Sequence, residues 1–139
     1  MSAIQFSIWR FGVHLTAECK AFRLPWRRRH TAPDENCGCG IYAAHLETLA
    51  RSYRSLGPPS VFFPVLGPVL LWGTVVVAQE GWRAEFAYPQ RLFVMVHGGR
   101  RQAARQLGVA LERYGVPVHV IDPPADRHGE GLAELLRAA

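Results

Sequence analysis

Three cysteines and one histidine are the residues of this chain whose types and spacing suggest a specific chemistry. They follow the pattern C-x10-H-x6-C-x-C, and they are Cys19, His30, Cys37 and Cys39. Three thiolates and one imidazole complete the tetrahedral shell of a structural Zn²⁺ site, which leaves no open position for a substrate. We therefore predict that these four side chains bind one structural Zn²⁺.

The residues between the ligands favour a compact loop. Cys37-Gly38-Cys39-Gly40 predicts a tight turn because glycine adopts backbone conformations that other residues avoid. The Pro33–Asn36 segment is typical of a chain reversal after His30. The usual zinc signature has two closely spaced ligand pairs, whereas this chain has one. Two alternatives stay open: an iron–sulfur cluster on the same ligands, or a buried strand cysteine beside metal-free loop thiols.

The segment around these ligands resembles a motif of bacterial proteins that have no established activity. It runs from His30 to Ala43 in the pattern H-x-x-P-x-x-x-C-x-C-G-I-Y-A. Those proteins also carry an L-W-G-x-V strand, then G-W-R-A and A-Y-P, which here are Leu71–Val75, Gly81–Ala84 and Ala87–Pro89. The resemblance covers Cys19 to Pro89. It implies a shared fold and metal loop, and it implies no function.

The positive charge of the chain is concentrated between two of the predicted ligands. The chain has 16 Lys and Arg against 11 Asp and Glu, a formal charge of +5. The Lys20–His30 loop holds five Lys and Arg residues and no acid. Cations bind a phosphate backbone and aromatic rings stack on bases. The residues that we predict to contact nucleic acid are Lys20, Arg23, Trp26, Arg27, Arg28 and Arg29. A solvated loop beside a metal site is the alternative interpretation.

Hydrophobic periodicity indicates the elements that must position these residues. Alternation predicts strands, and steps of three and four predict helices. The predicted strands are Ile4–Phe11, Val13–Cys19, Val69–Ala78, Trp82–Tyr88, Arg91–Val96 and Val116–Ile121, and the predicted helices begin near Gly40, after Gly98-Gly99 and at Gly131. We predict a single α+β domain over residues 1–139, with a small, mainly antiparallel sheet or partly open barrel and two to three helices. The zinc-stapled loop, residues 20–40, lies between the N-terminal hairpin and the first helix.

The sequence also predicts how two of these strands and the first helix expose or bury their side chains. Val69–Ala78 is apolar on both faces, which predicts a central strand. Strict alternation in the next strand places Arg83 and Glu85 together on a solvent-facing side. The spacing of Tyr42 and Leu46 predicts that both lie on one face of the first helix.

Composition and chain start exclude several classes of protein. The first residues lack the basic and apolar regions of a signal peptide. The uncharged Ser55–Gln79 stretch is interrupted by prolines, which break a membrane-spanning helix. Three cysteines are too few, and odd in number, for a disulfide scaffold. Reduced thiolates suit the cytoplasm, so we predict a cytoplasmic protein without membrane contact.

These observations favour a zinc-stapled binding module that contacts nucleic acid or a nucleoprotein through Lys20–His30. The alternative is a protein–protein adaptor or regulator, which docks through the apolar, proline-rich segment 57–68. An enzyme of unknown reaction is the second alternative. It is the least favoured because no nucleophile and base show a mechanistic spacing in the sequence.

Overall fold

The computed structural model describes residues 9–19, 30–53, 65–96, 98–122 and 130–138. Within these ranges the strands are β1 (Leu15–Thr16), β2 (Ile41–Ala44), β3 (Val65–Leu66), β4 (Val69–Ala78), β5 (Gly81–Pro89), β6 (Leu92–Met95) and β7 (Val118–Ile121). The helices are α1 (Leu46–Tyr53), α2 (Arg101–Leu111) and α3 (Glu130–Ala138), and the 3₁₀ turn Glu112–Tyr114 follows α2. Helices and mostly antiparallel strands confirm the predicted α+β class.

Four strands form an antiparallel sheet whose centre is β5. Along one edge β5 pairs with β4, and along the other it pairs with β1 and β2 at successive positions. Leu15 of β1 lies opposite Ala87, and Ile41 of β2 lies opposite Ala84. Ala84 and Ala87 are both fully buried. The strand that precedes the ligand loop and the strand that follows it are therefore held by the same neighbour.

The prediction that Val69–Ala78 is a central strand is wrong. Within the described ranges β4 pairs with β5 alone, and most of its side chains are exposed. Apolar residues on both faces are typical of a buried strand, but among the described strands β4 has one neighbour, its hairpin partner β5, whereas β5 has strands on both edges. The central position therefore belongs to β5.

The second sheet has the strand order β3-β6-β7, with β6 antiparallel to β3 and parallel to β7. A parallel pair needs a crossover connection, and α2 supplies it between β6 and β7. The described strands thus form two open sheets and not a closed barrel.

The main hydrophobic core lies on both faces of β6. Phe93 and Met95 pack with buried residues of α1 and α3. Val94 and Val96 point the opposite way and pack with Ala104 of α2. Alternate residues of β6 therefore pack against helices on its two faces. The buried residues of these two clusters include none from the four-stranded sheet or from the ligand loop.

The predicted start of the first helix near Gly40 is also wrong. Residues Ile41–Ala44 form β2, and α1 begins at Leu46. Pairing with β5 overrides the helical spacing, because Tyr42 lies opposite Arg83 in the sheet. The predicted Val13–Cys19 strand is reduced to Leu15–Thr16, which pairs with β5. Its predicted hairpin partner, Ile4–Phe11, lies outside the described residues except for its last three positions.

No helix in the described ranges is both long enough and apolar enough to cross a bilayer. Of the proline-rich segment 57–68, residues 57–64 lie outside the described part of the chain, and β3 occupies Val65–Leu66.

Candidate metal centre

The structure brings the four predicted ligands together. Their ligand atoms, one from each of Cys19, His30, Cys37 and Cys39, all lie within 4.8 Å of one another. Cys19 follows β1, and Cys37 and Cys39 lie in the turn before β2. This group is close enough to hold a metal ion. It is the only cluster of three or more such side chains in the ranges that the structure describes.

Two of the distances within the group are close to the edges of a tetrahedron around one ion, and the remaining distances do not exceed 4.8 Å. The Sγ atoms of Cys19 and Cys37 are 3.7 Å apart, and Nε2 of His30 lies 3.3 Å from Sγ of Cys39. Zn–S bonds of about 2.3 Å and Zn–N bonds of about 2.0 Å place two sulfurs about 3.7 Å apart and a nitrogen about 3.5 Å from a sulfur. The two sulfurs do not form a disulfide bond, because 3.7 Å is much longer than an S–S bond. The arrangement therefore suits a single ion.

Local hydrogen bonds form the turn that presents Cys37 and Cys39. The carboxylate of Asp34 accepts from the backbone N–H of Asn36 at 2.8 Å, and the Asp34 carbonyl accepts from the N–H of Cys37 at 3.1 Å. After the turn, the Tyr42 hydroxyl donates to the carbonyl of Gly38 at 2.6 Å. An aspartate that bonds to its own backbone two residues later is a common turn-forming device. These hydrogen bonds therefore help to hold the turn in the conformation that presents the two thiols.

Gly40 is required where the turn joins β2. Its φ of 125° is rarely adopted by residues with a side chain. A Cβ at this position would lie 3.0 Å from Cβ of Pro33 and 3.1 Å from Cβ of Arg83. The ligand turn therefore lies tightly against β5.

Arg83 of β5 connects the sheet to the ligand turn, a role that the sequence did not suggest. Its Nη1 donates to the carbonyls of Asp34, at 3.3 Å, and Cys39, at 3.0 Å, and also to the carbonyl of Cys37. The predicted solvent-facing pair of Arg83 and Glu85 is thus wrong, since both are partly buried. The contact of Arg83 with the ligand turn depends on the register of β2 on β5, which places Arg83 opposite Tyr42. The sequence alone does not indicate this register.

The electrostatics of the group favour a bound cation. Burial, together with the neighbouring thiols of Cys37 and Cys19, raises the pKa of Cys39 to about 11, although a hydrogen bond from the Asp34 backbone lowers it in part. Three thiolates this close repel one another. A bound dication reverses that balance and stabilises the thiolate forms.

The predicted nucleic-acid contacts are not among the residues that the structure describes. Lys20, Arg23, Trp26 and Arg27–Arg29 all fall in the gap between residues 19 and 30. The residues that flank this gap are described, however, and both of them are candidate ligands: Cys19 at one end and His30 at the other.

Comparison with known proteins gives no relative. No protein family, curated protein or solved structure matches this chain. The resemblance of residues 19–89 to bacterial proteins therefore stays a hypothesis. Functional inference rests on the chemistry and geometry of the chain itself.

Proposed function

We propose that the protein is a zinc-stapled binding module that presents a closed basic loop to nucleic acid or a nucleoprotein. One observation carries the proposal: the ten-residue basic segment 20–29 begins after one ligand and ends before another, and those two ligand atoms lie within 4.8 Å. An ion bound by Cys19 and His30 closes the segment into a loop. The five cations of that loop then extend from a fixed base.

Zinc is the ion that fits this set best. Three sulfurs and one nitrogen in tetrahedral arrangement are typical of structural zinc sites. A [2Fe–2S] cluster attaches two ligands to each of two irons, so ligand atoms on different irons lie further apart than ligand atoms on one ion. The bound of 4.8 Å on the separations of all four ligand atoms therefore favours a single ion. Thiolate ligands also need a reducing compartment, so the proposal includes a cytoplasmic location.

The charge of the loop points to a polyanionic partner. Five cations without an intervening acid repel one another, and a bound phosphate backbone relieves that repulsion. Trp26 adds a ring on which a base can stack. Closing both ends of the loop at the metal reduces the conformational entropy that is lost when the loop binds.

An electrophoretic shift series over a range of salt concentrations tests the proposal. The key variant replaces Arg27, Arg28 and Arg29 with Ala, and the control variant replaces Arg105, Arg113 and Arg137 with Ala. Both variants lower the formal charge from +5 to +2 by removing three arginines. Each lost phosphate contact reduces the magnitude of the slope of log K against log salt by about 0.9 on duplex DNA. The slope of the loop variant is therefore expected to be smaller than that of the wild type by up to about 2.7.

The control variant is expected to keep most of the wild-type slope, because its arginines lie on α2, the 3₁₀ turn and α3. Equal slopes for both variants would show that only net charge matters. No binding by the wild-type protein near physiological salt would contradict the nucleic-acid proposal.

A protein-binding adaptor is the second candidate, and an exposed apolar residue of segment 57–68 favours it. Val65, which lies in the described part of that segment, is 37% exposed. Exposed apolar patches are typical of interaction sites. Wild-type protein that binds no nucleic acid but keeps its metal would favour this candidate.

A further inference from the structure

The edge of the four-stranded sheet is formed by a long strand that carries no charge. In the described ranges β4 pairs with β5 alone, so the backbone groups along its other edge have no strand partner there. The ten residues Val69–Ala78 include no charged residue and no proline. Monomeric proteins usually protect such an edge with lysine, proline or a covering segment, because it pairs readily with another strand.

One face of β4 exposes four large apolar side chains. They are Leu70, 52% exposed, Trp72, 39%, Val75, 40%, and Val77, 75%. We call these four residues the β4 stripe.

The strand register shows that the β4 stripe lies on a single face. Its members lie opposite Tyr88, Phe86, Ala84 and Trp82, which are alternate residues of β5. Directly opposite residues project from the same face of an antiparallel sheet, and alternate residues of a strand share a face. Trp72 also stacks on Phe86, with ring centroids 5.8 Å apart.

A β-bulge lies in β4 between Trp72 and Val75, and it makes the β4 stripe symmetric. In a regular strand, residues 70 and 77 project from opposite faces, because they are an odd number of positions apart. The register shift between Trp72 and Val75 adds one residue to β4, so that Leu70 and Trp72 project from the same face as Val75 and Val77. The stripe therefore has the same spacing on either side of Gly73-Thr74. When β4 is paired antiparallel with a copy of itself, centred there, Leu70 lies opposite Val77 of the partner subunit and Trp72 opposite Val75 of the partner subunit.

We infer that β4 is the dimer interface of this protein and that its partner is a second copy of the chain. Two four-stranded sheets then join across a two-fold axis into one sheet of eight strands. An isologous interface needs a self-complementary surface, and the symmetric, uncharged stripe provides one. A nucleic acid does not fit this edge, since a polyanion needs cations and residues 55–79 contain none.

Sedimentation equilibrium of the full-length protein tests the inference, with Val77→Lys as the first variant. The wild-type protein is expected to be dimeric at micromolar concentrations. The variant places an unpaired charge in the apolar interface, so its dimerisation is expected to be weakened by about tenfold or more. Val109→Lys is the matched control, because Val109 is a similarly exposed valine, 65%, on α2. It is expected to leave the dimer unchanged.

A charge pair tests the register. Leu70→Glu is expected to weaken the dimer as Val77→Lys does, whereas the double variant is expected to regain most of the lost affinity. The two new charges lie opposite each other only across the interface, since seven residues of one strand separate them by about 23 Å. Circular dichroism and metal content, measured on every variant, are expected to match the wild type.

Three results would overturn the inference. The first is a wild-type protein that is monomeric at high micromolar concentration, which would assign the stripe to another occupant. The second is a dimer that survives both single substitutions. The third is a double variant that dimerises no better than the single ones, which would reject this register. None of these results depends on the basic loop, so they do not bear on the proposed function.

Discussion

Replacing Arg83 with methionine removes the contact between the central strand and the ligand turn while keeping a side chain of similar length. The wild-type guanidinium donates to three carbonyls of the turn, those of Asp34, Cys37 and Cys39. All three hydrogen bonds are donated by one nitrogen, Nη1, and share its hydrogens. Their energies therefore do not add fully. Methionine leaves the carbonyls without this donor and removes a positive charge beside the thiolates.

The expected size of the effect follows from these contacts. A hydrogen bond from a charged donor contributes about 1.5–3 kcal/mol, and we take about 2 kcal/mol for the shared set because Arg83 is only partly buried. With about 1.4 kcal/mol for each factor of ten, that corresponds to about 30-fold weaker zinc binding. Residues that support metal ligands typically change metal affinity by about 10- to 100-fold, which agrees with this value.

Competition with a chromophoric chelator measures the zinc affinity directly. Arg83→Lys keeps the charge but not the planar guanidinium, so it is expected to recover part of the loss. Arg105→Met is the control, since Arg105 is an exposed arginine on α2. If Arg83→Met binds zinc within twofold of the wild type, the hydrogen bonds to the turn do not support the metal site.

Three further substitutions test other parts of the account. Cys39→Ser is expected to lower the Tm by about 5 °C or more and to make it insensitive to EDTA, because metal binding is coupled to folding of the loop; a calorimetric Tm equal to that of the wild type would exclude a structural metal. Gly73→Ala is expected to lower the free energy of unfolding, measured in urea, by about 1–3 kcal/mol. Gly73 has a φ of 74°, and a Cβ there would lie 2.7 Å from Oε2 of Glu85. An unchanged urea midpoint would mean that the bulge accommodates the added Cβ without strain. Tyr114→Phe is expected to lose about 1 kcal/mol, because its hydroxyl donates to the Trp9 carbonyl at 2.6 Å. Burial raises the pKa of Tyr114, so this stabilisation is present at neutral pH and is lost as the pH rises through that raised pKa. Unfolding curves of wild type and variant that differ equally in neutral and strongly alkaline buffer would contradict this role.

The clustering of the four candidate ligands could be predicted from sequence because it depends on residue types in a short window. Cys37 and Cys39 are separated by one residue, and no cysteine lies outside the window that begins at Cys19. The helices α2 and α3 were also predictable, since local spacing and the stop at Gly115, with its φ of 69°, determine them.

Strand positions could not be predicted in the same way, because they depend on pairing between distant residues. The helical spacing of Tyr42 and Leu46 continues from α1 into β2, so periodicity alone does not show where the helix begins. β4 has the apolar pattern of a central strand, yet among the described strands it lies at the edge of its sheet. The role of Arg83 likewise depends on a register between residues that are about 40 positions apart.

The central claim is that Cys19, His30, Cys37 and Cys39 bind one zinc ion. X-ray absorption spectroscopy at the zinc edge, on protein purified without chelators and with its metal content quantified, tests it most directly. The account predicts one zinc per chain with three sulfur neighbours at about 2.3 Å and one nitrogen neighbour at about 2.0 Å. A chain that holds no stoichiometric metal, or a zinc ion surrounded mainly by oxygen, would contradict it.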